Sequence, residues 1–290
     1  MDTEFLTYHE RPRLENASMI LGFSGWMNGG EVSTGAVEYL VQRLKAERLA
    51  EISPSHFQIS NFPGSMEVSA LFRPSTRIDE GRVTYYSEPN NRFYCSPAHN
   101  LVLFAGKEPN LHWEEFADCI FNVVQECNVK RIIFVGSVAG LVPHNRQSTI
   151  YSSVSDDSLR YIFERFDLKP SNYEGPASFV TYLTVLSQER GIHMASLVSE
   201  IPAYINGMNH KCIAATMTKV VSILKLNIDL SDLKRRGREF EKRVNDIVIR
   251  RPDLGVVIDK LDAQYDEDFS QEDNEHLKSW FENQDFDFDI

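Results

Sequence analysis

Met19, Ile20, Leu21 and Phe23 form a short apolar run that ends in glycines, the pattern of a buried parallel strand. Gly22 and Gly25 bracket the strand exit, and Trp26, Met27 and Asn28-Gly29-Gly30 follow. The period then changes. Val32, Ala36, Val37, Leu40, Val41 and Leu44 share one face of a predicted helix, with Asn28 as its cap and Glu31 in its first turn. A helix N-terminus reached through such a turn can bind an anion. A tight strand-to-helix connection without a ligand accounts for the same residues. The chain carries neither GxGxxG nor GxxxxGK[ST], so nucleotide binding is not supported.

The same texture recurs along the chain. His56–Ser60 reads as a short strand, and Arg82–Ser87 with Arg92–Ser96 as a β-hairpin around Glu88-Pro89-Asn90-Asn91. Asn100–Ala105 is a further strand. Trp113, Phe116, Ala117, Ile120, Phe121 and Val124 make a second helical stripe. Arg131–Val135 is a strand that exits through Gly136-Ser137-Val138-Ala139-Gly140. Strand, helix, strand with glycines after the strands predicts an α/β chain with a mainly parallel sheet. Thr149–Ser153 then reads as a strand, Asp156–Arg165 as a helix, and Pro176 as the first turn of the helix carrying Phe179, Val180, Leu183 and Leu186. His193–Ile201 is a strand. Asn209 and Ser231 are predicted caps of two C-terminal helices, the second with a basic face of Lys234, Arg235, Arg236, Arg238, Lys242 and Arg243. That face is either solvated or meets an acidic partner or the chain's own tail.

Charge changes the picture at one end. Of the formal −12 carried by 290 residues, Asp262–Ile290 holds 11 acids and one Lys, so the rest carries only −2. This balance argues against nucleic-acid binding. The reading divides the chain into an arm over 1–16, a domain over 17–250 and an acidic tail over 251–290. Within the tail, Asn274–Phe281 has the pattern of a short helix. The final Asp285–Ile290 alternates acid with apolar, which suits an added strand or a linear motif. Trp280, Phe281, Phe286, Phe288 and Ile290 are the candidate partner-binding positions there. The four cysteines show neither CxxC nor zinc spacing and are read as reduced thiols; no metal site and no cofactor are expected. With neither an apolar signal core nor a membrane-length apolar run, a soluble cytoplasmic protein is expected.

Five stretches, in order, resemble the proteasome assembly chaperone 2 family: Gly22–Gly30; Gly106-Lys107-Glu108-Pro109 before Trp113; Gly136–Gly140 with His144-Asn145-Arg146; Tyr173-Glu174-Gly175-Pro176 leading to Glu200–Tyr204; and Leu226–Leu233. The resemblance implies a three-layer α/β/α, phosphorylase/hydrolase-like domain, to which the residue pattern adds a small β-hairpin excursion and C-terminal helices. It implies a homo-oligomer, with a trimer favoured, and a protein partner related to the proteasome. Several relatives dock through a C-terminal hydrophobic–Tyr–any tripeptide. This chain ends Phe288-Asp289-Ile290 and departs from it.

Ligands of open α/β sheets bind beyond the strand C-termini. That rim gathers Ser24, Gly25, Asn28, Gly29, Gly136, Ser137 and Glu200, with Tyr173 and Glu174 leaning over it. His144 and Arg146 are a candidate anion site, and His144 with Glu200 a candidate acid/base pair. Each residue also has a plain structural use. Ser137 lacks the GxSxG context of a nucleophile elbow. No catalytic residue is assigned. The reading is a non-enzymatic assembly-chaperone-like or interaction protein. The alternative is an enzyme or small-ligand binder acting on an anionic or nucleoside-like molecule.

Overall fold

The computed structural model describes residues 4–264. In chain order the elements are β1 (Leu6–Tyr8), β2 (Ala17–Ser24), α1 (Val32–Leu44), β3 (Glu47–Ile52), α2 (Met66–Ala70), β4 (Ser75–Asp79), β5 (Arg82–Ser87), β6 (Asn91–Ser96), β7 (Leu101–Lys107), α3 (Trp113–Glu126), β8 (Val129–Gly140), β9 (Ile150–Val154), α4 (Tyr161–Arg165), β10 (Lys169–Pro170), α5 (Phe179–Glu189), β11 (His193–Pro202), α6 (His210–Leu224), α7 (Ser231–Arg250) and α8 (Pro252–Gln264).

One nine-stranded sheet runs in the order β1-β3-β6-β7-β2-β8-β11-β9-β10. Its centre, β7-β2-β8-β11, is parallel, as continuous apolar runs require when both faces are covered. The edge pairs β1-β3, β3-β6, β6-β7 and β11-β9 are antiparallel, while β9-β10 is parallel. Alternation along β2 sends Met19, Leu21 and Phe23 to one face and Ile20 to the other. The first face packs on α3 and α5 and is rich in rings: Phe23, Phe104, Phe116 and Phe179 meet with centroids 5.2–6.4 Å apart. The second face packs on α1 and α6. The result is a three-layer α/β/α fold. A smaller cluster of Tyr204, Phe240, Val244, Leu254 and Ile258 fastens α7 and α8 beside it.

Four expectations are corrected. Arg82–Ser87 does not pair with Arg92–Ser96. β5 pairs with β4 in a separate two-stranded sheet, while β6 enters the main sheet between β3 and β7. The turn residues between them mark the return from an excursion, not a hairpin. His56–Ser60 is no strand: Pro54 opens a turn in which the Phe57 and Gln58 N–H groups donate to its carbonyl, and Phe57 is buried. The helix after Pro176 begins later, at Phe179, because the Ser178 hydroxyl accepts the Thr181 N–H at 3.1 Å. Ser231 is the first residue of α7, not its cap. The Asp229 carboxylate accepts the Ser231 N–H at 2.9 Å. Asn209 does cap α6, accepting the Cys212 N–H at 3.0 Å. Leu6–Tyr8 of the predicted arm forms β1, and Pro252–Gln264 of the predicted tail forms α8. Trp280, Phe281, Phe286, Phe288 and Ile290 lie outside the described residues.

Candidate functional site

The strand-end rim is built around the loop that leaves β2. β8 and β11 run past the end of β2, and the loop lies along that extension. The Ser137 N–H donates to the Met27 carbonyl at 3.0 Å, and Asn28 and Ser137 form a parallel bridge. The Ser137 hydroxyl, fully buried, donates to the Gly29 carbonyl. Gly30 and Glu31 both adopt left-handed backbone, which turns the chain into α1. Asn28 reaches across this turn. Its Oδ1 accepts the Thr34 N–H at 3.1 Å and takes one of the free donors of the α1 N-terminus.

Glu108, one residue past β7, ties the loop to the opposite layer. Its N–H donates to the Ser24 carbonyl at 2.9 Å. One carboxylate oxygen accepts the Trp26 N–H at 3.0 Å, and the other the Phe179 N–H at 2.9 Å. Phe179 is the first residue of α5, so the carboxylate sits where the helix dipole favours it. Glu108 lies within one of the resembling stretches, but nothing local in the sequence shows that two distant N–H groups converge on it.

Ser24, Ser137 and Glu200 stand at the carboxyl ends of neighbouring strands, so the predicted residues share one edge of the sheet. They do not form one group. Ser24 ends β2, Gly25, Asn28 and Gly29 belong to the loop just described, and Gly136 and Ser137 to the stretch of β8 that it lies along. Tyr173 is exposed, with its hydroxyl donating to the Pro176 carbonyl, and Glu174 is exposed beside it. Tyr173, with Trp26 and Met27, borders an open cavity of about 350 Å³ over β9 and β11. His144, Arg146 and Glu200 line a separate, more enclosed space of about 10 Å³, scarcely room for one water. Burial pushes the Glu200 carboxyl up, and Lys169 opposes that shift.

His144 is held on every side. The Tyr204 hydroxyl accepts its backbone N–H at 2.8 Å and lies 2.8 Å from Nδ1; Nε2 lies 2.9 Å from Asn245 Oδ1. These distances fit a neutral ring with Nε2–H donating to Asn245 and Nδ1 accepting from Tyr204. Arg146 pairs with Asp262 of α8. The two side chains therefore fasten α7 and α8 to the sheet. Burial pushes the His144 pKa below its usual 6.5, and Lys211 lowers it further, against the Asn245 hydrogen bond and Glu241. A depressed histidine value means that the unfolded chain takes up the proton first. The stability it supplies is complete above pH 6.5 and is lost as the pH falls through the folded-state value. His210 is shifted the same way by burial, Arg236 and Arg243. Urea midpoints measured from pH about 8 to about 5 should fall on the acid side, and less steeply in His144→Gln, with His210→Gln removing the second share.

Among the described residues, His56, His112 and Glu115 place three ligand atoms within 4.8 Å of one another. The two imidazoles stack with centroids 4.0 Å apart. Their donor set suits a first-row metal ion. The separation of 56 positions between the histidines hides the trio from any motif search. All four cysteines are free and buried, and burial pushes Cys95 up to about 11 and Cys127 to about 12.

The sequence profile of the PAC2 family matches residues 22–248, from the end of β2 through nearly all of α7. The chain belongs to the PAC2 family. Among solved structures, this PAC2 protein is similar to the proteasome-assembly chaperone homologue of Mycobacterium tuberculosis, with 23% identity and a TM-score of 0.69 over 79% of this chain and 94% of that one. A second Mycobacterium tuberculosis protein, of unknown function, matches with a TM-score of 0.80 at 19% identity, over 96% and 93%. An archaeal proteasome activator from Pyrococcus furiosus matches with 0.63 at 23%, over 83% and 97%. No curated protein sequence matches this PAC2 chain.

Proposed function

We propose that the chain is a non-enzymatic, assembly-chaperone-like protein that presents the 61–90 excursion to a protein partner. One observation carries the reading. The excursion holds Phe62, Met66, Val68, Leu71, Ile78, Val83, Tyr85 and Tyr86 in the open, Met66 at 83% and Leu71 at 76% exposure. An apolar group this dense and this exposed is the mark of an interaction surface. The rim supports the same reading, because Ser137, His144 and Arg146 are engaged in holding the fold. Similarity to an assembly-chaperone homologue and to a proteasome activator makes a proteasome component the partner to test first. We place the protein in the cytoplasm as a homo-oligomer, with a trimer favoured, and assign the acidic tail a second contact.

The test is reconstitution of proteasome subunits from the source organism with and without the purified chain, followed on native gels. Faster or more complete assembly is expected, and its loss in Met66→Asp/Leu71→Asp/Tyr86→Asp. These three exposed changes should leave the unfolding midpoint nearly unmoved. Assembly that is indifferent to the chain would refute the reading. Deletion from Tyr265 onward, which keeps α8 and its Arg146–Asp262 pair, would measure the tail's share, and light scattering the oligomer number.

A further inference from the structure

β2 and β7 are adjacent parallel strands whose connections leave on opposite faces of the sheet. β2 continues into α1 on the Ile20 face, and β7 into α3 on the Met19 face. Such a divergence opens a crevice at the carboxyl ends of the two strands. Here it is a cavity of about 570 Å³. Ser24 and Lys107, paired in register at the strand ends, form its floor with Arg92 of β6. Glu38 of α1 is on one wall, and Arg73 and Glu88 of the excursion are on the other.

The charges facing this space are unevenly matched. Arg92 Nε has Glu51 at 3.5 Å, and Arg73 donates to Asn61 Oδ1 at 3.3 Å. Lys107 is half-buried, and among the described residues no carboxylate or carbonyl accepts from its Nζ. Burial lowers its pKa, as expected for an ammonium group that has lost water without gaining a partner. Glu38 is shifted upward by burial and by Glu31. Three separate segments therefore bring three cations to one concave volume at the sheet's switch point, and of these only Arg92 has a carboxylate partner.

We propose that this crevice binds a small organic oxyanion, a phosphate or carboxylate carried on a hydrogen-bonding body. Lys107, Arg92 and Arg73 hold the anionic group, and Glu38 and Gln42 face the body. Bidentate arginine and point-charge lysine suit either anion. The site is independent of the partner reading, although the excursion supplies one of its walls.

Isothermal titration of the full chain with ribose 5-phosphate, inorganic phosphate and succinate tests it. Saturable binding of at least one probe is expected. Lys107→Met should weaken it about tenfold or more, Lys107→Arg should largely restore it, and Arg235→Gln on the exposed face of α7 should leave it unchanged. Binding of the phosphates alone identifies a phosphoryl ligand, and of succinate alone a carboxylate. If Lys107→Met fails to fold by circular dichroism, Arg73→Gln takes its place with the same expected loss. Absence of saturable heat with all three probes, or equal affinity in wild type and the charge-removed variant, overturns the proposal.

Discussion

Gly22→Ala should destabilise the chain by about 3 kcal/mol, a large fraction of a typical domain's total. Gly22 sits in the middle of the sheet with α1 directly over it. A Cβ there would lie 2.5 Å from the Ser33 carbonyl oxygen and 2.7 Å from Val37 Cγ2. The backbone of α1 cannot move aside freely. The Ser33 hydroxyl accepts the Phe23 N–H at 2.9 Å and donates to the Val135 carbonyl, so the helix is pinned to β2 and β8 at the point of collision. Gly191→Ala is the control. Gly191 has a left-handed φ of 66° but open space around it, so only backbone strain of about 1 kcal/mol applies. Urea unfolding of both variants measures the difference. Equal midpoints would mean that α1 does not press on β2 as described.

Glu108→Ala should cost about 3 kcal/mol and loosen the rim. The carboxylate is the acceptor for two backbone N–H groups 153 positions apart in sequence, Trp26 and Phe179. Truncation leaves both donors without it, and charge-assisted hydrogen bonds are the stronger kind. Glu108→Gln retains one oxygen acceptor and should recover about half the loss. Hydrogen exchange separates this effect from general destabilisation. The amides of Trp26 and Phe179 should lose protection well before those of the α6 interior. Uniform loss across the chain would count against a local clamp.

The centre of the fold was legible because its signals are local. In Ala17–Leu44 the hydrophobic period changes from strand to helix across a glycine turn, and β2 and α1 follow it. β8 and β11 were readable from their apolar cores. The edges were not. β3, Glu47–Ile52, carries three charges in six residues and resembles a continuation of α1. β6 follows turn chemistry and so resembles half of a hairpin, yet its partners β3 and β7 are chosen by the sheet. The same limit applies to chemistry. His144 and Arg146 read as a free cationic pair because their partners Tyr204, Asn245 and Asp262 stand 60, 101 and 116 positions further on. Lys107 stood out only as part of a resembling stretch, because the Glu38 and Arg73 walls of its cavity come from other segments.

Site-specific photo-crosslinking in the source organism's own cells tests most directly whether the excursion is the partner-binding surface. A photoreactive residue replaces Leu71 on the excursion or, as control, Tyr161 on the exposed start of α4, and the adducts are identified by mass spectrometry. Adducts to a proteasome subunit from position 71, absent from position 161, are predicted. The same adducts from both positions, or none to the proteasome from position 71, would contradict it.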